Sequence, residues 1–178
     1  MDLARQAAQE MYEIVLVLIE LAFIFCVCFA VVSDARSLRI ANWISLALVG
    51  LFAVYALMRF DLWAIPNHMM VAAVVLVVGF VLFVLRWIGA GDVKFMSALG
   101  LWMGPEHIPQ FALLTGLGGA VLAIGLLILR QSEQLKIVLP AAAPFKRAIE
   151  LAEKGVCPYG IAIGFAALMT IPAFFIAI

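Results

Sequence analysis

WIGAGDVKFMSALGLWMG, residues 87–104, sets an aspartate between two glycines and a short apolar run. The chain around it is unusually apolar. Of its 178 residues, 67% are hydrophobic and 12% charged, and the mean hydropathy is +1.21. A soluble domain is nearer half apolar and a quarter charged. This composition belongs to a membrane protein, where a carboxylate in or beside a span calls for a function. How the stretch is read decides the fold. Residues 93–103 are apolar but short, and they read as an abbreviated spanning helix.

A spanning helix needs about 20 mostly apolar residues. Residues 14–32, 41–58, 69–85, 111–129 and 159–178 meet that need, and 93–103 make a sixth, shortened helix. The runs are continuous and lack period-two alternation, so they read as helices and not as barrel strands. The fold class is all-α: a polytopic membrane protein of about six helices, with 1–178 as a single membrane domain. Lys and Arg in the short loops set the orientation. With the N-terminus outside, Arg36, Arg39, Arg86, Lys94, Arg130, Lys136, Lys146, Arg147 and Lys154 face inward, and Arg5 and Arg59 outward. Both termini are then expected outside. The N-terminus is mixed and acidic, which reads as a retained anchor and not a cleaved signal.

The inner loop 130–156 is the long one. LPAAAP interrupts it, and PFKRAIELAEKG reads as a short helix, with Pro144 near its start and Gly155 past its end. Phe145, Ile149 and Ala152 line one side, which suits the membrane surface. Small residues in GIAIG (160–164) and TGLGGA (115–120) are expected to let helices pack closely. Cys26, Cys28 and Cys157 fit neither a zinc site nor a disulfide framework and read as small hydrophobes. Zero net charge gives no argument for a nucleic-acid partner.

Five acids lie in or beside the spans: Glu20, Asp34, Asp61, Asp92 and Glu106. Asp61 and Glu106 sit among Pro66, Pro105 and Pro109 and read as solvated outer-loop residues. Glu20 is 14 residues before Asp34, about 21 Å along a helix, so the two cannot share a site. Asp34 closes the first span and Asp92 opens the fourth, both at the inner end. Two carboxylates at one depth can meet and share a proton, one acting as base and the other as acid. Such a pair activates water without metal or cofactor. Gly89 and Gly91 bare the backbone before Asp92. We expect this segment to be extended and to pair with an unwound substrate as an added strand. The other reading is an Asp that caps the fourth helix, with glycines that turn the chain.

GAGDVK (89–94) resembles the GxGD motif of the type IV prepilin peptidases, a group of intramembrane aspartyl proteases. DARSLRIANW (34–43) looks like that family's first-aspartate loop, with Ala41 where many relatives carry proline. CPYGIAIG (157–164) is similar to its Pro-Tyr-Gly opening of the last helix. The three motifs fall in order, and the resemblance covers nearly the whole chain.

The resemblance implies an endopeptidase of the bacterial inner membrane that cuts the basic leader from prepilins or pseudopilins at the cytoplasmic face. Asp34 and Asp92 would be its catalytic pair. Gly89, Gly91, Lys94, Asn42, Pro158, Tyr159 and Gly160 would support the site or hold substrate. Two readings of Lys94, substrate contact and positive-inside anchoring, stand side by side, and Tyr159 also suits an interfacial aromatic. The length and the lack of paired CxxC motifs point to the short Flp/Tad-type branch, without methyl transfer. The competing functions are a bifunctional peptidase and N-methyltransferase, a small proton-coupled transporter using the same aspartates, and an archaeal preflagellin-type peptidase.

Overall fold

In lipid a backbone must satisfy its own polar groups, so each apolar run closes into a helix. The computed structural model describes residues 2–59, 63–131, 143–155 and 157–176. In order they form α1 (Asp2–Ser37), α2 (Asn42–Arg59), α3 (Ile65–Val84), α4 (Ala90–Gln131), α5 (Ala143–Lys154) and α6 (Tyr159–Ile176). The described residues contain no strand. Helices α1 to α4 are long and apolar enough to cross a membrane, and α6 adds a shorter apolar helix. Helices α2 and α3 both pack on α4. Helix α1 packs on α2 and α6, and α4 also meets α6 and α5.

The short fourth span and the fifth are the two arms of α4, joined at a break. Gly104 has φ 60° and ψ −172°, a conformation essentially reserved for glycine. Pro105 follows it. Proline has no N–H, so the carbonyl of Leu101, four residues earlier, loses its helical donor. His68 of α3 replaces that donor, with Nδ1 2.8 Å from the Leu101 oxygen. A carbonyl only accepts, so Nδ1 carries the proton. The imidazole packs where a Cβ on Gly104 would collide with it. His68→Ala leaves that carbonyl unpartnered beside a new cavity. We expect a stability loss of about 2–4 kcal/mol, measured by SDS unfolding of detergent-solubilised protein.

Most of the core that α4 contributes, from Phe95 to Met103, lies between the inner ends and this break. Trp102 is fully buried. Its ring meets Phe23 at 4.7 Å, Tyr55 at 5.4 Å and Phe52 at 5.6 Å between centroids, and its Nε1 donates to the Leu48 carbonyl at 3.0 Å. The small-residue stretches pack helices together as expected. A Cβ on Gly164 would collide with Val31 of α1, and one on Gly118 would touch Ala162 of α6.

Several expectations are corrected. Residues 105–110 form no loop: they open the second arm of α4, with Glu106 exposed. Proline fits the first turn of a helix, where N–H groups lack partners anyway, and an acid suits that end of the dipole. Pro66 likewise sits in the first turn of α3, which begins earlier than its apolar run. Helix α1 extends back to Asp2. Helix α5 matches its expected limits, and Gly155 has φ +64°. However, α5 buries Leu151 and Ala152 and packs on α4, so protein covers part of its apolar side. Phe145, Asp61 and the LPAAAP break lie outside the residues whose surroundings are described.

Candidate active site

Helix α1 ends one residue after Arg36, and Leu38 turns the chain with φ 55°. The Leu38 N–H donates to the Asp34 carbonyl at 2.8 Å. Ser33 Oγ donates to the Arg39 carbonyl at 2.8 Å, and Ser37 Oγ donates to the Ser33 carbonyl at 2.7 Å. These bonds fold residues 38–41 back over the end of α1. On the other side, α3 ends at Val84 and Arg86 takes φ 62°. The Trp87 N–H reaches the Leu82 carbonyl and the Arg86 N–H the Phe83 carbonyl, a Schellman closure with arginine in the left-handed position. That turn aims residues 87–89 at the start of α4.

Helix α4 begins at Ala90, which corrects the extended strand expected for 89–91. The Asp92 carboxylate accepts from the Gly89 N–H at 3.2 Å, through Oδ2. The Val93 N–H donates to the Gly89 carbonyl at 3.2 Å. Asp92 is thus the third residue of a helix reaching back to its cap, half of a capping box. A Cβ on Gly91 would lie 3.3 Å from the Ile40 carbonyl oxygen. Gly91 therefore lets the chain's own 38–41 turn approach α4, where a substrate backbone was expected.

Asp34 is buried, with 4% of its surface exposed. Its Oδ2 accepts from the Gly160 N–H at 2.8 Å. That N–H lies in the first turn of α6, where backbone donors have no helical acceptor and the dipole favours an anion. Asp34 thus caps α6 from α1. The contact depends on residue 160 having no side chain, because a Cβ there would stand 2.7 Å from Oδ2 and 2.8 Å from Asp34 Cγ. Pro158 is buried at the entry to α6.

Asp34 and Asp92 line one open cleft of about 570 Å³, with Ser33, Ser37, Arg39, Asn42, Gly89 and Gly91. Their charges are close enough to act on each other. Lys94 lies on another face of α4, where its Nζ donates to Asn42 Oδ1 at 3.1 Å. This ties α4 to the start of α2. Tyr159 lines a second void, also bordered by Asp92. Glu20 stands apart, on the unbroken α1 about 21 Å from Asp34 and near Arg59. Among the described residues no group of three or more His, Cys, Asp or Glu could hold a metal ion.

The sequence reading missed Ser33, Ser37 and His68. Hydroxyls four residues apart at a helix end, ahead of a turn, were the available signal for the first two. A histidine four residues into a helix that starts with Ile-Pro offered less.

Cys157, between α5 and α6, reports on the pair. Burial pushes its thiol up from the ordinary range, and the Asp34 and Asp92 carboxylates push it further. Removing either charge lowers the thiol pKa again and raises the thiolate fraction. With Cys26 and Cys28 replaced, Asp34→Asn and Asp92→Asn should each speed maleimide labelling of Cys157 at mildly alkaline pH, by several-fold.

The model of the type IV leader peptidase family matches residues 21–124, a span that holds both aspartates, Asn42 and Lys94. The prepilin leader peptidase/N-methyltransferases of Aeromonas salmonicida (strain A449) and Aeromonas hydrophila are each 46% identical over 48 residues, 27% of this chain. The matched stretch spans 16% and 17% of those relatives. No solved structure matches the chain. With more than half of its length matched, the chain belongs to the type IV leader peptidase family.

Proposed function

We propose that the chain is a membrane-embedded aspartyl endopeptidase that removes the leader of Flp-type prepilins or pseudopilins at the cytoplasmic face of the inner membrane. The observation that carries this reading is the shared cleft. Carboxylates from two distant parts of the chain line one space, each held by a backbone N–H. The excess of Lys and Arg on the loops near them supports an inward-facing site. Residues 1–178 work as one catalytic unit, with 130–156 on the cytoplasmic side.

In the reaction one aspartate is ionised and the other protonated. The ionised carboxylate takes a proton from water as its oxygen attacks the scissile carbonyl carbon. The protonated carboxyl gives its proton to the carbonyl oxygen, and a neutral gem-diol forms. The C–N bond then breaks. The nitrogen receives a proton, a diol hydroxyl returns one to the pair, and an amine and a carboxylic acid leave. The pair ends as it began, with one proton. Gly160 and Gly89 hold the two groups at fixed positions through their N–H bonds, the kind of preorganisation that keeps reacting atoms aligned. Asn42 lines the cleft, and Lys94 holds it there from another face of α4.

The test is cleavage of a candidate prepilin by the purified chain, with rates followed against pH and chelator. Activity should fall on both sides of an optimum, because each limb removes one of the two required protonation states. EDTA should leave the rate unchanged. Loss of activity in EDTA and recovery with zinc would overturn the mechanism.

A further inference from the structure

Asp92 borders two spaces, one more polar than the other. One is the polar cleft shared with Asp34. The other is a groove of about 440 Å³ between the end of α3, both arms of α4 and the start of α6. Leu82, Met96 and Ile163 form its apolar walls. Along one edge Ala112, Gly116 and Ala120 follow each other at four-residue spacing, so they share a helix face. All three are exposed. Their neighbours in the same stretch are used differently: Gly118 and Gly119 receive Ala162 and Tyr159 of α6. A Cβ on Gly116 meets nothing within 4 Å. A small-residue face of this kind admits close approach of a helix in lipid, yet none of the described helices occupies it.

A second observation concerns Thr115. It lines the same groove, it is 9% exposed, and its Oγ1 has no hydrogen-bond partner among the described residues. A buried hydroxyl left unpaired is expensive in a membrane interior. An incoming chain that parts the groove's lining would supply the missing partner.

We infer that this groove seats the apolar helical segment that follows the scissile bond of the substrate. The inference rests on the prepilin peptidase reading. A peptide whose reacting carbonyl lies at Asp92 continues to both sides of that carboxylate. Its basic, polar leader suits the cleft, with its hydroxyls, backbone groups and carboxylates. Its apolar continuation suits the groove, whose lining is mostly apolar. Asp92 stands at the partition between them. Substrate choice then depends on residues 112–120 as well as on the aspartates.

The experiment compares Gly116→Leu with Gly125→Leu. Gly125 lies on the same arm, its Cβ also meets nothing within 4 Å, and it does not line the groove. Both variants are therefore expected to fold, and SDS unfolding checks this. Each is assayed on full prepilin and on a short soluble peptide spanning the leader junction without the apolar helix. Gly116→Leu should lose roughly tenfold or more in kcat/KM on full prepilin, mainly through KM. It should cut the short peptide as the wild type does, and Gly125→Leu should match the wild type on both. Equal cleavage of full prepilin by Gly116→Leu and wild type would overturn the groove assignment and leave the peptidase reading standing. Equal loss on both substrates, with a change in the oligomeric mass of the chain, would assign the face to self-association and also overturn it. No cleavage by the wild type would remove the peptidase reading, and this inference with it.

Discussion

Asparagine at position 34 or at position 92 should reduce prepilin cleavage by roughly 10³-fold or more, with the chain still inserted and folded. An amide keeps the shape of the side chain and still accepts a backbone hydrogen bond. Gly160 N–H to residue 34 and Gly89 N–H to residue 92 therefore survive. What is lost is the proton. An amide neither takes one from water nor gives one to the carbonyl oxygen, so either replacement stops the cycle. The double variant should be little worse than each single one, because the two groups act as a unit. Glu20→Gln is the matching control. It removes an acid from the same helix about 21 Å away and should leave the rate near wild type. Cleavage rates on one prepilin, with insertion checked by membrane fractionation, decide all four cases. A normal rate for Asp34→Asn would end the pairing of these two residues.

Gly160→Ala should lower the rate by about 100-fold while leaving the fold intact. The added Cβ would stand under 3 Å from three atoms of Asp34, so the carboxylate has to move off the start of α6. Misplacing a reacting group by about 1 Å is enough for a loss of this size. The fold should survive because alanine is the better helix former, by about 1 kcal/mol. Unfolding in SDS should show a loss of no more than about 1–3 kcal/mol, from the lost cap on α6 and the shift of Asp34 Cβ, far too little to unfold the chain, which separates this effect from simple damage. Gly91→Ala should act in the same direction but less strongly, since its Cβ would lie 3.3 Å from the Ile40 oxygen and the 38–41 turn can give slightly. A Gly160→Ala chain that cleaves at the wild-type rate would mean that the position of Asp34 is not held from α6.

The fold was legible from the sequence because membrane spans declare themselves by length and apolar content. The six apolar runs reappear as α1, α2, α3, the arms of α4, and α6. Their limits were less legible. Pro66 and Pro105 looked like loop residues, but the first turns of helices accept proline; Pro109 lies one turn further into the second arm of α4. Only the geometry at Gly104, with His68 standing in for the N–H that Pro105 lacks, shows that two spans form one broken helix.

The site divides in the same way. That Asp34 and Asp92 would come together followed from loop charge and helix length, and they line one cleft. How each is held did not, because the partners are backbone N–H groups, which no residue type announces. Gly160 serves Asp34 from 126 positions away, and the sequence offered it only as part of an opening motif. Gly91 was misassigned for the same reason. A glycine reports that something comes close, and here it is the backbone of Ile40. Lys94 and Asn42 were each noticed alone, and their contact across α4 and α2 joins them.

The central claim is that Asp34 and Asp92 together hydrolyse the bond at the leader junction. Mass spectrometry of a prepilin incubated with the purified chain tests it most directly. The wild type should give a leader and a mature pilin whose masses sum to the prepilin plus one water, with no methyl group on the new N-terminus. Asp34→Asn and Asp92→Asn should each leave the prepilin intact. A prepilin cut at the same bond by either asparagine variant at the wild-type rate would contradict the account.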